Sequence, residues 1–170
     1  MPRNALPRIP KEQWDRLLAD HNDTALYDLM TQPLHELLYR RQSFDLLDEL
    51  PVMQQMLLGY DYVQAQVAQG GFLQFIQNKY ISLLLPVIEG LKELGDTEMV
   101  SVLDDVLKVY VLNREALEQE TTVSEFAALY QEFREFELLD DRFSRLHGPT
   151  IEKIIRYASL HPDKFAVLTP

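Results

Sequence analysis

The sequence predicts an all-α protein, a single compact multi-helix domain of about eight helices. Three observations predict it. Apolar residues recur at three- and four-residue steps along most of the chain. Glycines and prolines fall at the ends of those runs. No segment alternates apolar and polar residues between turns, as a half-buried strand does.

The elements follow in order. Residues 1–10 hold Pro2, Pro7 and Pro10 with Arg3 and Arg8, and read as an extended arm before the helical domain of residues 11–170. Trp14, Leu17 and Leu18 share one face of a first helix over 11–20. Asp23 is placed to cap a short helix holding Leu26, Tyr27 and Met30, and Pro33 to open another with Leu34, Leu37 and Leu38 inward. A connection over 43–50 leads to Pro51, at the first position of a long helix ending near Gln69. Gly70-Gly71 stops that helix, because glycine enters the left-handed region that closes a helix without a Cβ penalty.

A new helix starts at Phe72, and another covers 81–94, kinked or started by Pro86 and closed by Gly95. Asp96 or Thr97 caps the next, whose buried stripe is Met99, Val100, Leu103, Val106, Leu107 and Tyr110. From Ser124 the longest helix carries Phe126, Leu129, Phe133, Phe136 and Phe143. His147-Gly148-Pro149 breaks it, and Thr150 caps a last helix to about His161.

A chain of 170 residues can bury roughly 70% of its unfolded surface, so a core needs no metal or cross-link. There is no cysteine, which excludes disulfides, thiolate metal sites and cysteine nucleophiles. Met1-Pro2-Arg3-Asn4 does not open a secretory signal, and no apolar run reaches the length of a membrane span. The expectation is a soluble cytoplasmic protein that binds no membrane. His21, His35, His147 and His161 lack ligand spacing and read as solvated or helix-end residues. Asp104-Asp105 and Asp140-Asp141 are adjacent only in sequence. Neighbours on a helix point about 100° apart, so neither pair can share a proton. No phosphate loop or nucleophile elbow is present. The expectation is a protein that is not an enzyme, with no cofactor and no metal.

Charge is the informative property. The net charge is −11, and it is concentrated between Glu89 and Asp141, where 15 acidic residues face four basic ones. Glu89, Glu93, Asp96, Glu98, Asp104 and Asp105 open this belt. Glu115, Glu118 and Glu120 continue it, and Glu125, Glu132, Glu135, Glu137 and Asp141 flank the aromatic stripe of the long helix. With only Lys92, Lys108, Arg114 and Arg134 nearby in sequence, local pairing cannot neutralise it. Such a field repels nucleic acid and attracts a basic partner. The plainer reading of the same residues is a solvated face that keeps the protein soluble.

The second feature is Gly70-Gly71-Phe72-Leu73-Gln74-Phe75-Ile76-Gln77-Asn78. Phe72 and Phe75 share a face, and Gln74 and Asn78 stand one turn apart, within reach of each other or of the preceding turn. Neutral amides have no acid–base power, so the pair reads as structural, with small-ligand recognition as the alternative.

The Gly70-Gly71-Phe72-x-Gln74-Phe75-x-x-Asn78 run resembles the signature of an all-helical bacterial family, the DMP-type DNA-mimic proteins. Leu139-Asp140-Asp141-Arg142-Phe143, and Tyr157 through His161-Pro162 to Phe165, are similar to the family's C-terminal pattern, so the resemblance spans 51–165. Gln69 stands where the family has asparagine. The resemblance implies an acidic binding protein that occupies the DNA-reading face of a helix-turn-helix transcription factor, or of another basic DNA-binding or nucleoid protein. A homodimer is compatible with it. Two other readings stand beside it: an immunity or inhibitor protein for a basic toxin or nuclease, and a small-ligand module at the Gly-Gly turn.

Overall fold

A computed structural model describes residues 6–170, so residues 1–5 of the expected arm lie outside the described residues. Eight α-helices occupy most of the described chain: α1 (Lys11–Ala19), α2 (Asp23–Arg41), α3 (Val52–Gln77), α4 (Leu84–Glu93), α5 (Thr97–Leu112), α6 (Arg114–Glu118), α7 (Val123–Glu132) and α8 (Glu135–Leu160). Short 3-10 helices cover Phe44–Glu49, Ile81–Leu83 and Pro162–Lys164. The central helix α3 packs against α2, α4, α6 and α8, while α5 lies across α4 and α8. Trp14, Tyr60, Phe72, Phe75, Phe136 and Phe165 are among its fully buried side chains, in one continuous core.

The all-α expectation holds, with one small addition. Arg8–Pro10 forms β1 and Val167–Thr169 forms β2, a parallel pair with Ile9 opposite Leu168. Three-residue strands are too short to show alternation, and their pairing joins the two ends of the chain. Ile9 is buried by it.

Two expected breaks are absent. Asp23 and Pro33 lie inside one helix, capped instead by Asn22, whose side chain accepts from the Ala25 amide at 3.2 Å. Proline inside a helix costs about 3 kcal/mol. Tyr27, Met30, Leu34 and Leu38 form one buried stripe across it, and that burial offsets the loss. Likewise α8 runs straight through His147-Gly148-Pro149. A residue preceding proline is driven from the helical region by a clash at its Cβ, and Gly148 has none. Thr150 is therefore not a cap. It is buried in mid-helix, and its hydroxyl donates to Asp96 at 2.6 Å.

One break was unforeseen. The helix expected from Ser124 ends at Glu132, and Phe133 leaves the helical region before α8 begins. The α7 half reaches the Gly70 carbonyl through the Tyr130 hydroxyl, whereas α8 lies along α3 and α5. Asp140 of α8 reaches the same glycine pair, and a straight helix would hold positions 130 and 140 about 15 Å apart. Elsewhere the punctuation is as expected: Pro51 precedes α3, Pro86 sits in the first turn of α4, and Asp96 caps α5 by accepting from Met99 at 3.3 Å.

Candidate partner surface and signature segment

The signature segment is built on a kink. Gly70 and Gly71 are non-helical within α3, and Gly71 has a φ of +72°, so the chain re-enters helix at Phe72 along a new axis. The restart leaves amide groups without helical partners. Asp140 of α8 supplies one acceptor, its Oδ1 taking the Phe72 amide at 2.8 Å. The Tyr130 hydroxyl donates to the Gly70 carbonyl. A Cβ on Gly71 would collide with both the Asp140 carboxylate and the Tyr130 hydroxyl, so a side chain there must displace them as well as hold a positive φ. Phe72 meets Phe143 edge-on at 5.5 Å between ring centroids. Two of the three sequence runs that carry the family resemblance thus close on each other in space.

The surroundings shift the groups at this junction. Burial, with the charges of Asp141 and Glu137, pushes the Asp140 carboxyl up to about 6, although the Phe72 amide pulls the other way. Burial and the Asp140 and Glu137 carboxylates push the Tyr130 phenol up to about 12.

Gln74 and Asn78 do not bond to each other. Both donate to Oε1 of Gln66, at 3.1 and 2.6 Å, across the kink. Gln74 is half-buried and Asn78 exposed. Gln66, Tyr130 and Asp140 are the residues that sequence reasoning missed here. Asp140 stands inside the Leu139–Phe143 run, and the signal for it is an acidic residue on the same helix face as Phe136, Leu139 and Phe143.

The carboxylates of the belt divide into two groups. Asp96 is 1% exposed and cannot meet a partner. It accepts from Met99, Thr150 and Lys153, which makes it a structural hub. Glu93 pairs with Lys164 and Tyr157, and Asp105 with Arg142 at 2.7 Å and Lys108 at 3.0 Å. Glu118 pairs with Arg114 and Tyr110. These bonds hold Glu93, Asp105 and Glu118 below the usual carboxylate range. Arg142, Lys153 and Lys164, distant in sequence, thus pair with Asp105, Asp96 and Glu93, which local pairing alone does not neutralise. Glu98 lies 4.0 Å from Lys153.

The second group has no ion pair among the described residues. Glu89, Glu115, Glu120, Glu125, Glu132, Glu135, Glu137 and Asp141 are exposed, and Asp104 is half-exposed. Glu125 also closes a capping box, accepting from the Thr122 amide at 2.7 Å, which lowers its pKa. Of the five that flank the aromatic stripe, Glu125 and Glu132 belong to α7 and Glu135, Glu137 and Asp141 to α8, so the row is bent at Phe133 and does not follow one helix.

A family profile described as DMP19-like protein matches residues 48–161, well over half of the chain. The chain belongs to the DMP19-like family. Comparison with curated proteins gives no match. Within the family segment lie the Gly-Gly kink, Asp140 and every carboxylate of the belt. Pro162 and Phe165, which the resemblance included, fall outside it, as do α1, α2 and both strands of this DMP19-like chain.

Two histidines are not merely solvated. His35 bonds Asp61 at 2.6 Å, and His147 bonds the buried Tyr60 hydroxyl at 2.9 Å while stacking on its ring. Burial lowers the His147 pKa. No group of three or more metal-type side chains converges among the described residues, and no described helix is long and apolar enough to cross a membrane.

Proposed function

We propose that this chain is a DNA mimic: a bacterial cytoplasmic protein, without catalytic activity, that regulates transcription by covering the DNA-binding face of a basic transcription factor or nucleoid protein. The carrying observation is the stretch from Glu115 to Asp141. It holds nine carboxylates against one base, Arg134, and most of those carboxylates are exposed and unpaired among the described residues. The membership in the DMP19-like family supports the same reading.

The spacing suits the role. Carboxylates four apart on a helix, such as Glu137 and Asp141, rise by about 6 Å. Phosphates advance about 3.4 Å along one strand of duplex. Glu125 and Glu132 on α7 and Glu135, Glu137 and Asp141 on α8 set five exposed carboxylates on the two sides of the Phe133 bend. Long-range attraction then speeds encounter, and DNA is displaced by competition for one surface.

The test is capture of a basic DNA-binding protein from a bacterial lysate, followed by competition with duplex DNA. Replacing Glu125, Glu132, Glu135 and Glu137 with Gln keeps the capping box and helix propensity. That variant is expected to fold and to bind at least about tenfold more weakly. Changing Asp15, Asp20, Asp23 and Asp28 to Asn removes the same charge elsewhere and is expected to do much less. Equal losses from both sets, or a complex that DNA fails to displace, would overturn the reading.

A further inference from the structure

A groove of about 580 Å³ opens beside the signature segment, between the end of α3 and the loop that enters α7. Gln74, Gln77 and Asn78 form one wall, and Thr121, Thr122 and Val123 the other. Each side-chain amide nitrogen in it, and the Thr121 hydroxyl, already has one partner. The Gln74 and Asn78 amide nitrogens donate to Gln66, the Gln77 nitrogen to the Leu117 carbonyl, and the Thr121 hydroxyl to Gln77. Acceptors remain: the Asn78 side-chain oxygen and the Glu120 carboxylate have no partner among the described residues. The cation nearest in sequence, Lys79, is turned onto the Glu118 carbonyl at 2.7 Å. Phe126, half-buried, and Val123, 90% exposed, add an apolar surface to the same groove.

Acceptors and negative charge beside an aromatic face define the occupant. An anion is repelled by Glu120 and by Glu125, which stands on the Thr122 amide. A purely apolar group would strip water from Glu120 without replacing its hydrogen bonds. A guanidinium has five donors, no acceptor and a planar face that stacks on an aromatic ring. We infer that the groove receives one arginine side chain of the basic partner, its guanidinium on Glu120 and the Asn78 oxygen and its stem along Val123 and Phe126. This rests on the DNA-mimic reading and deepens it: the diffuse acidic rows attract, and the groove fixes register.

The experiment uses the full chain labelled with 15N and titrated with N-acetyl-arginine amide. N-acetyl-citrulline amide, of the same shape without charge, is the control. Saturable shifts confined to the Asn78 side-chain amide and the Thr121–Val123 backbone are expected with arginine, with citrulline weaker by about fivefold or more. Glu120→Gln and, separately, Val123→Lys, both at exposed positions, are each expected to weaken arginine binding by about fivefold or more, the first by removing the counter-charge and the second by adding a like charge. Both variants should also weaken the captured complex. Shifts scattered over all the carboxylates, equal binding of citrulline, or full binding by both variants would overturn the groove. The arginine titration needs no partner, so its failure is distinguishable from failure of mimicry. If the four-glutamine variant loses the partner while no arginine site is found, only the groove proposal falls.

Discussion

The Asp140 carboxylate accepts the Phe72 amide at 2.8 Å, joining α8 to the restart of α3 across 68 positions of sequence. It acts as a helix cap supplied from another helix. A local cap would have to come from Gly70 or Gly71, which have no side chain. Capping from a distance therefore ties the kink to the position of α8.

This junction makes stability depend on pH in a defined direction. The Asp140 carboxyl titrates at about 6 in the folded protein, against an ordinary value of 3.8. Between those values the folded state holds more proton than the unfolded one, so its contribution is fully present below the lower value and is lost as pH rises through the upper. Asp140→Asn keeps an acceptor for Phe72 and removes the titration. Melting temperatures across that window are expected to fall less steeply with rising pH in the variant than in the parent. Parallel profiles would remove Asp140 as the source. Asp140→Ala is expected to cost about 1–3 kcal/mol, the penalty of an unsatisfied buried amide.

Gly71→Ala is expected to destabilise more than a typical glycine change, by about 2 kcal/mol or more, because it combines a positive φ with a collision. Gly95→Ala provides the comparison. Its φ is +83°, but nothing lies within 4 Å of the added atom, so only the backbone penalty, about 1–2 kcal/mol, applies. Chemical denaturation of the two variants measures the difference. Equal losses would mean that the Asp140–Tyr130 clasp yields freely.

Asp96→Ala is expected to cost about 2–4 kcal/mol, since it removes a cap and leaves the buried Thr150 hydroxyl without its acceptor. Asp96→Asn keeps the cap acceptor and should cost less. Because Asp96 is buried, the folded Asn variant should bind the partner as the parent does. A selective loss of binding at unchanged stability would return Asp96 to the interaction surface.

The sequence by itself determined the helical class, the stop at Gly70-Gly71, a cap at Asp96 or Thr97 and the excess of carboxylates between Glu89 and Asp141. These are local properties, because periodicity, positive φ and formal charge are set by a residue and its near neighbours. Only the tertiary structure decided which carboxylates are free. Arg142, Lys153 and Lys164 come from beyond the acidic stretch and neutralise Asp105, Asp96 and Glu93, while the carboxylates near the Phe133 bend stay exposed. It also decided that Pro33 and Pro149 stay inside helices, where burial outweighs a lost hydrogen bond. The convergence of Gln74 and Asn78 on Gln66 was hidden for the same reason. Pairings across a kink or between helices depend on how the core packs, and no window of neighbouring residues contains that information.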